Sequence, residues 1–364
     1  MECLLGIETS CDETAAAVVD SAGCVRSNIV ASQYDLHARY GGVVPEIASR
    51  AHLERMLPVM HSALEQAGIG IEQVAAIAVG IRPGLIGSLL VGTSAAKALA
   101  FSRGIPFYAV DHVAAHLFAG MLRERDATAE VEHDRFPALG LVVSGGHTSL
   151  FRVMSPIACE LIGRTIDDAV GEAFDKAAVM LGLPHPGGPN LERCATTGNA
   201  RALEFSKPQL PNPLDFSLSG LKTKLLYAVR GVPQGRGGRT VFARTSADLT
   251  SERRADLAAS FQRGAIAQVL DRLSRAAETH ASRTLFVGGG VVSNQALRRE
   301  LQAWSLERGV TLIAPQPRFC VDNAAMIALH AVLRRSLGDA GDDLSIAAQP
   351  VSLLARGASA KRIQ

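Results

Sequence analysis

The feature that most constrains this chain is a repeat within it. Residues 5–19 (LGIETSCDETAAAVV) and 139–153 (LGLVVSGGHTSLFRV) align without gaps on a leading Leu-Gly, a Ser five positions on, a Thr nine positions on and a final Val. Each copy reads as an apolar strand, a polar turn and a second apolar strand. A second echo follows. Residues 76–80 (AIAVG) and 284–290 (TLFVGGG) each lead through glycine into a helical run that ends in Arg-Gly, at Arg103-Gly104 and Arg308-Gly309. An apolar strand comes next in both places, over 107–110 and 311–314. Strands alternating with helical patterns specify an α/β protein, and a repeat of this length specifies one unit used twice. Two such units with like turns facing each other enclose a cleft, where ligands bind.

Length and charge fit that reading. At roughly 100–200 residues per domain, 364 residues make about two. The expected division is 1–125 and 136–323, with a C-terminal helix over about 324–364 packing back on the first unit. The boundary falls in the charged stretch 123–135, and 232–239 (VPQGRGGR) reads as a second, exposed loop. Net charge is only +2, which excludes a uniformly basic nucleic-acid binder. Residues 222–254 nevertheless carry eight Lys/Arg against Asp248 and Glu252, a local excess of 8 − 2 = +6. That stretch is either a phosphate-contacting surface or a solvated face. The six cysteines form no C-x-x-C pair, which fits a reducing compartment. No apolar run reaches the ~18–20 residues of a membrane span, and the start Met1-Glu2-Cys3 lacks the basic region of a signal peptide. A cytoplasmic location is expected.

Several motifs carry chemistry. His112 and His116 follow a strand at i, i+4, so a helix over 113–122 puts both imidazoles on one face, able to chelate a transition metal. The matching loop of the second half, 319–323 (FCVDN), offers Asp322 from across the cleft. Two His and one carboxylate leave open coordination positions, as a catalytic metal requires. The pair is not a zinc-protease motif, because Val113 stands where H-E-x-x-H needs its general-base Glu. The turn Ser144-Gly145-Gly146-His147 permits close backbone approach to an anion, or is a plain hairpin. Asp175, in a helix expected over 166–183, and Glu192 are either ribose acceptors or helix-surface charges. Residues 288–294 (GGGVVSN) join strand to helix, and Asn294 is an N-cap or a ligand contact. Neither a P-loop nor G-x-G-x-x-G occurs there.

Together these stretches resemble the bacterial tRNA N6-adenosine threonylcarbamoyltransferase family (TsaD). The matches are 6–14 (GIETSCDET), 37–50, 83–92, 112–116, 143–148 (VSGGHT), 167–176, 186–189, 216–223 (FSLSGLKT), 288–294 and 319–328 (FCVDNAAMIA), in order over nearly the whole chain. The resemblance implies the duplicated actin/sugar-kinase/Hsp70-like ATPase fold with two α/β domains and an inter-domain cleft. It implies transfer of threonylcarbamoyl from threonylcarbamoyl-AMP to N6 of adenosine 37 in tRNAs reading codons that begin with adenine. It assigns one divalent metal, Fe2+ or Zn2+, to His112, His116 and Asp322. It places the donor's nucleotide against Val143, Ser144, Gly145, Gly146, His147, Asp175, Gly188, Asn294 and, in some relatives, Glu192. Partners implied are tRNA, a TsaB-like inactive paralogue docking on helices of the first half, and a TsaE-like small ATPase. By position alone, Asp12 and Glu13 are candidate proton acceptors. Three residues depart from the family pattern: Arg82 replaces a Gly, His185 a Tyr and Ala324 a Gly. A sugar-kinase-like phosphotransferase needs a catalytic Asp in the second-half hairpin turn or beyond and a sugar pocket, and the acid-free 144–147 turn weighs against it; a nucleotide-dependent scaffold is the non-enzymatic alternative.

Overall fold

The computed structural model describes residues 1–40, 42–124, 135–236 and 239–354. The first half contains β1 (Cys3–Glu8), β2 (Glu13–Asp20), β3 (Val25–Ser32), α1 (Tyr34–Ala38), α2 (Pro45–Ala67), β4 (Val74–Arg82), α3 (Ile86–Arg103), β5 (Phe107–Asp111) and α4 (His112–Phe118). The second contains β6 (Ala138–Val143), β7 (Thr148–Ser155), β8 (Ala158–Arg164), α5 (Val170–Met180), α6 (Gly187–Ala195) and α7 (Ser219–Arg230). A short hairpin of β9 (Gln234–Arg236) and β10 (Arg239–Val241) follows, then α8 (Ser251–Thr279), β11 (Thr284–Gly288), α9 (Gln295–Arg308), β12 (Thr311–Ile313) and α10 (Ala324–Ser336).

The two main sheets share one topology. Their orders are β3-β2-β1-β4-β5 and β8-β7-β6-β11-β12. In each, the first three strands form an antiparallel meander and the last two run parallel to the first. The repeat in the sequence is therefore a repeat in the fold. The Arg-Gly endings share a cause too, since Gly104 and Gly309 close α3 and α9 at φ 62° and 64°. That left-handed conformation favours glycine.

Strand alternation divides each sheet between two cores. Leu5, Ile7, Ile77 and Val79 face α2 and α3, whereas Leu4, Ala76 and Ala78 face the molecule's interior. In the second sheet Leu139, Leu141, Leu285 and Val287 face α5–α9, whereas Ala138, Val142 and Phe286 face inward. The inward faces meet on a single cluster with α4 and α10 between them. Small residues set the approach. A Cβ on Gly6 would lie 2.3 Å from the carbonyl oxygen of Ala324, and one on Gly288 would lie 1.9 Å from that of His116. Each apolar side chain fully buried here contributes roughly 1.5–3 kcal/mol.

Several expected elements differ. The segment 232–239 is not a plain loop but runs into the β9/β10 hairpin, whose ladder pairs Gln234 with Val241. The α-helix bearing the histidines begins at His112 and stops at Phe118, giving way to a 3-10 turn over Ala119–Met121. α5 begins at Val170 rather than 166, because the carboxylates of Asp167 and Asp168 are bound to the start of α7. Among the described residues of the C-terminal segment α10 is the α-helix, shorter than the expected 324–364, and it packs on β1 and β2. Beyond it the chain runs as a strap along the first half, with Asp342 N bonded to Phe107 O (2.7 Å) and Gln349 N to Ile81 O (3.0 Å). Residues 355–364 and most of the expected boundary, 125–134, lie outside the described residues.

α10 also ties the halves together through His330, whose Nε2–H donates to Pro156 O at 3.1 Å. Its Nδ1 is buried without a partner among the described residues. Burial, then nearby Arg334, lower its pKa to about 4. The folded state thus binds this proton less well than the unfolded chain, whose His titrates near 6.5. The neutral-His contribution is fully present above pH ~6.5 and is lost as pH falls toward 4, by up to about 3 kcal/mol. Urea melts at pH 7.5 and 5.0 should show this loss, and His330→Gln should have a shallower pH dependence. An unchanged slope in the variant contradicts the assignment.

Candidate metal centre

The site grows from the end of β5. Asp111 caps α4, accepting from Val113 N at 3.0 Å, so the first helical residue is His112 and one turn later comes His116. Both imidazoles are buried, with ring centroids 4.5 Å apart and planes at 89°. Asp322, just before α10, points Oδ1 at both: 3.3 Å from His112 Nε2 and 3.0 Å from His116 Nε2. The chemically usable atoms of the three residues lie within 4.8 Å of one another, a grouping compatible with a divalent metal. The donor set fits as well, being two imidazoles and one carboxylate with the rest of the coordination sphere open.

Residues behind the ligands set their charge. His112 Nδ1 meets Glu8 Oε2 at 3.0 Å and Ser10 Oγ at 3.3 Å, which orients the ring as outer partners of a metal-binding His do. Burial opposes a charged His112, but Asp322 and Glu8 outweigh it and hold its pKa well above the usual value. Burial would likewise raise Asp322, yet the two histidines hold it well below the carboxylate range. Burial and then the neighbouring His112 lower His116. Glu13, at the start of β2, is pushed up to about 9 by burial, then by Asp322 and Asp12. Asp12 shares the same turn, and its carbonyl accepts from Gln33 N at 2.9 Å.

The second half supplies the facing wall. Val143 ends β6, and Ser144 N donates to His147 O at 2.8 Å to close the glycine turn. A Cβ on Gly145 or Gly146 would meet nothing within 4 Å, so the turn borders open space. Burial, then His112 and His116, lower the His147 pKa to about 4, leaving a neutral imidazole close to the pair. The wall is continuous: Gly171 N bonds Ser144 O (3.2 Å) and Gly188 N bonds Asp175 Oδ1 (3.1 Å). Glu192 Oε1 accepts from Gln295 N at 2.7 Å, so it caps α9 from outside rather than standing free. Asn294 is the N-cap of α9: Oδ1 accepts from Leu297 N (2.9 Å) and Nδ2 donates to Gln262 Oε1 (2.8 Å).

Reasoning from sequence passed over three contacts. Glu8 ends β1 and Ser10 lies in the turn after it, but only the fold shows that they reach His112. His185, where the family has Tyr, stacks on Tyr34 of α1 across the halves, with centroids 5.6 Å apart and planes at 13°. Arg82 is buried 3.6 Å from Asp111, which also accepts from Ser352 Oγ of the strap at 2.7 Å. The unusual Arg thus pairs with the cap of the histidine helix.

Two sheets of one topology with two buried histidines and a half-buried aspartate at their seam define the class: a protein of the actin/sugar-kinase/Hsp70-like ATPase fold with a metal-type site between its halves. Solved structures agree on the fold. The chain superposes on T. kodakarensis HypF with TM-score 0.58 at 13% identity, covering 92% of this chain and 48% of that one. Component A of the (R)-2-hydroxyglutaryl-CoA dehydratase of Acidaminococcus fermentans gives 0.50 at 12% identity, covering 92% and 100%. The family is narrower. The model of TsaD, tRNA N6-adenosine threonylcarbamoyltransferase, matches residues 24–329, and the chain belongs to this family. Relatives bearing that name include those of Symbiobacterium thermophilum, 48% identical over 89% of each chain, and Geobacter sulfurreducens, 44% identical over 97% of this chain and 98% of that one.

Elemental analysis of purified protein should find close to one divalent metal per chain, and His112→Ala or Asp322→Ala should reduce it to background. Full metal content in both variants would place the ion elsewhere.

Proposed function

We propose that the chain transfers threonylcarbamoyl from threonylcarbamoyl-AMP to N6 of adenosine 37 of tRNA, releasing AMP. The observation that carries this is the family match over residues 24–329 together with the His112–His116–Asp322 group at the seam. The donor is a mixed anhydride and needs no further activation. N6 attacks the carbamoyl carbon, the bond from that carbon to the phosphate oxygen breaks, AMP leaves with the electron pair, and a proton leaves N6. No enzyme nucleophile is required, and none of the motifs offers a nucleophile elbow.

The residues divide this work. The backbone N–H groups of the open Gly145-Gly146 turn suit the donor's phosphate, and neutral His147 suits a hydrogen bond to it. Asp175 and Gly188, already joined, border the nucleotide with Val143 and Ser144. Glu192 and Asn294 hold the start of α9 in place beside it. Asp12 is the proton acceptor by position. Glu13, beside it at the start of β2, is the second candidate by position. A bound Fe2+, or Zn2+ on the same ligands, would supply Lewis-acid polarisation of the donor.

Partners follow the same reading. α2 exposes Leu53 and Leu57 and α3 exposes Ile86, Leu90 and Phe101, with Leu57 73% and Phe101 79% exposed. This face of the first half suits an inactive TsaB-like paralogue, with a TsaE-like ATPase completing the system in the cytoplasm. Among the described residues no helix is long and apolar enough to cross a membrane.

The deciding experiment is mass spectrometry of tRNA nucleosides after incubation with the protein, its partners and threonylcarbamoyl-AMP. Threonylcarbamoyladenosine should form, and His116→Ala should reduce the rate on the order of 100-fold. Absence of the product with wild-type protein overturns the reading.

A further inference from the structure

The basic excess in residues 222–254 is not used by the cleft chemistry. Among the described side chains of this stretch, Lys222 is taken up by the fold, where it pairs with Asp168. Lys224, Arg230, Arg244, Arg253 and Arg254 have no carboxylate within ion-pair distance among the described residues. Nearby cations outside the stretch behave differently. Arg263 pairs with Glu204 at 2.8 Å, and Arg272 and Arg275 pair with Asp271 at 2.6 and 2.9 Å.

Local structure gathers these unpaired charges. α7 buries Leu221, Leu225 and Val229, which turns Lys224, Tyr227 and Arg230 outward along one stripe. Arg244 N donates to Arg230 O at 3.1 Å, bringing the segment after β10 back against the end of α7. Two of the cations rest on rings rather than carboxylates: Lys224 Nζ lies 6.0 Å from the centre of Phe205, and Arg230 Cζ lies 5.7 Å from that of Phe242. Their charge stays available to an outside anion. Arg253 and Arg254, both half-buried, occupy the first turn of α8, where they add to the helix's own positive end, and Arg254 Nη2 donates to Ser246 O at 3.2 Å. The acids present are Asp248, bonded to Thr245, and Glu252.

The patch connects with the cleft. Asp167 holds the start of α7 through Ser217 Oγ (2.5 Å) and Leu218 N (2.8 Å). Just beyond Asp167 and Asp168, Val170 N donates to Thr148 Oγ1 (2.9 Å), and Gly171 N bonds Ser144 O in the glycine turn (3.2 Å). α7 thus starts behind the donor wall and carries its cations away from it, over ~17 Å to Arg230 at 1.5 Å per residue.

We propose that the outer stripe of α7, with Arg244 and the start of α8, is the surface on which the phosphate backbone of the tRNA stem docks while its adenosine enters the cleft. Unpaired cations in a row match a polyanion, and exposed Tyr227 offers a ring to a base. This rests on the transferase reading and adds to it where the RNA lies.

The test measures binding of unmodified tRNA transcript to the full chain from 50 to 300 mM KCl. Lys224→Gln, Arg230→Gln and Arg244→Gln together should weaken binding at least about tenfold at 150 mM and lower the slope of log K against log salt by about 2–3. Arg103→Gln, Arg283→Gln and Arg299→Gln, which remove as many exposed cations elsewhere, should change neither. Thermal melts check folding. If the triple variant melts early, Arg230→Gln alone should still lower the slope by about 1. Wild-type affinity and slope in the α7 variants, or an equal loss in the control, overturn the proposal. Wild-type protein that forms no threonylcarbamoyladenosine with its partners removes the transferase reading as well, whereas product formation with unchanged binding in the α7 variants removes the docking proposal alone, so the two failures are distinguishable.

Discussion

Everything at the seam depends on how closely α4 and α10 are packed between the two sheets. The inward face of each sheet is lined with small residues where a helix passes. Gly6 admits the backbone of α10 at Ala324, and Gly288 admits that of α4 at His116. Because protein interiors pack densely, these contacts leave little play. The two helices bring the metal-type ligands with them, since His112 and His116 lie on α4 and Asp322 immediately precedes α10. A carbonyl pressed against a glycine therefore sets where an imidazole points.

The same burial governs the electrostatics. In water, two histidines, three carboxylates and a third imidazole would titrate almost independently. Removed from solvent they diverge: Asp322 is held below and Glu13 above the usual carboxylate range, while His112 is held above and His147 below the usual imidazole range. Such divergence among adjacent groups is typical of sites built for chemistry. The strap after α10 extends this control outward. Ser352 and the unusual Arg82 both hold Asp111, the cap from which the histidine helix starts.

The repeat, the α/β class and the pairing of His112 and His116 with Asp322 were legible in the residues. Each has a local signature: alternation and turn chemistry for the strands, i, i+4 spacing for the histidines, and a matching loop for the aspartate. β3 and β8 were less legible because they are edge strands, part exposed and mixed in polarity (VRSNIVAS and ACELIGR). Glu192 and Asn294 have residue types that suit either a ligand contact or a helix cap. Only the position of α9 shows that both cap it.

The sequence by itself determined that one strand–turn–strand unit occurs twice, which residues could bind a metal, and that positive charge gathers in 222–254. Those properties depend on the order and spacing of neighbours along the chain. Tertiary structure alone decided that Glu8 reaches His112, that His185 stacks on Tyr34, and which cations of the basic stretch remain unpaired. These contacts join residues about 100 or more positions apart in the first two cases. Local propensity says nothing about such pairs, because they exist only once two sheets have closed on the helices between them.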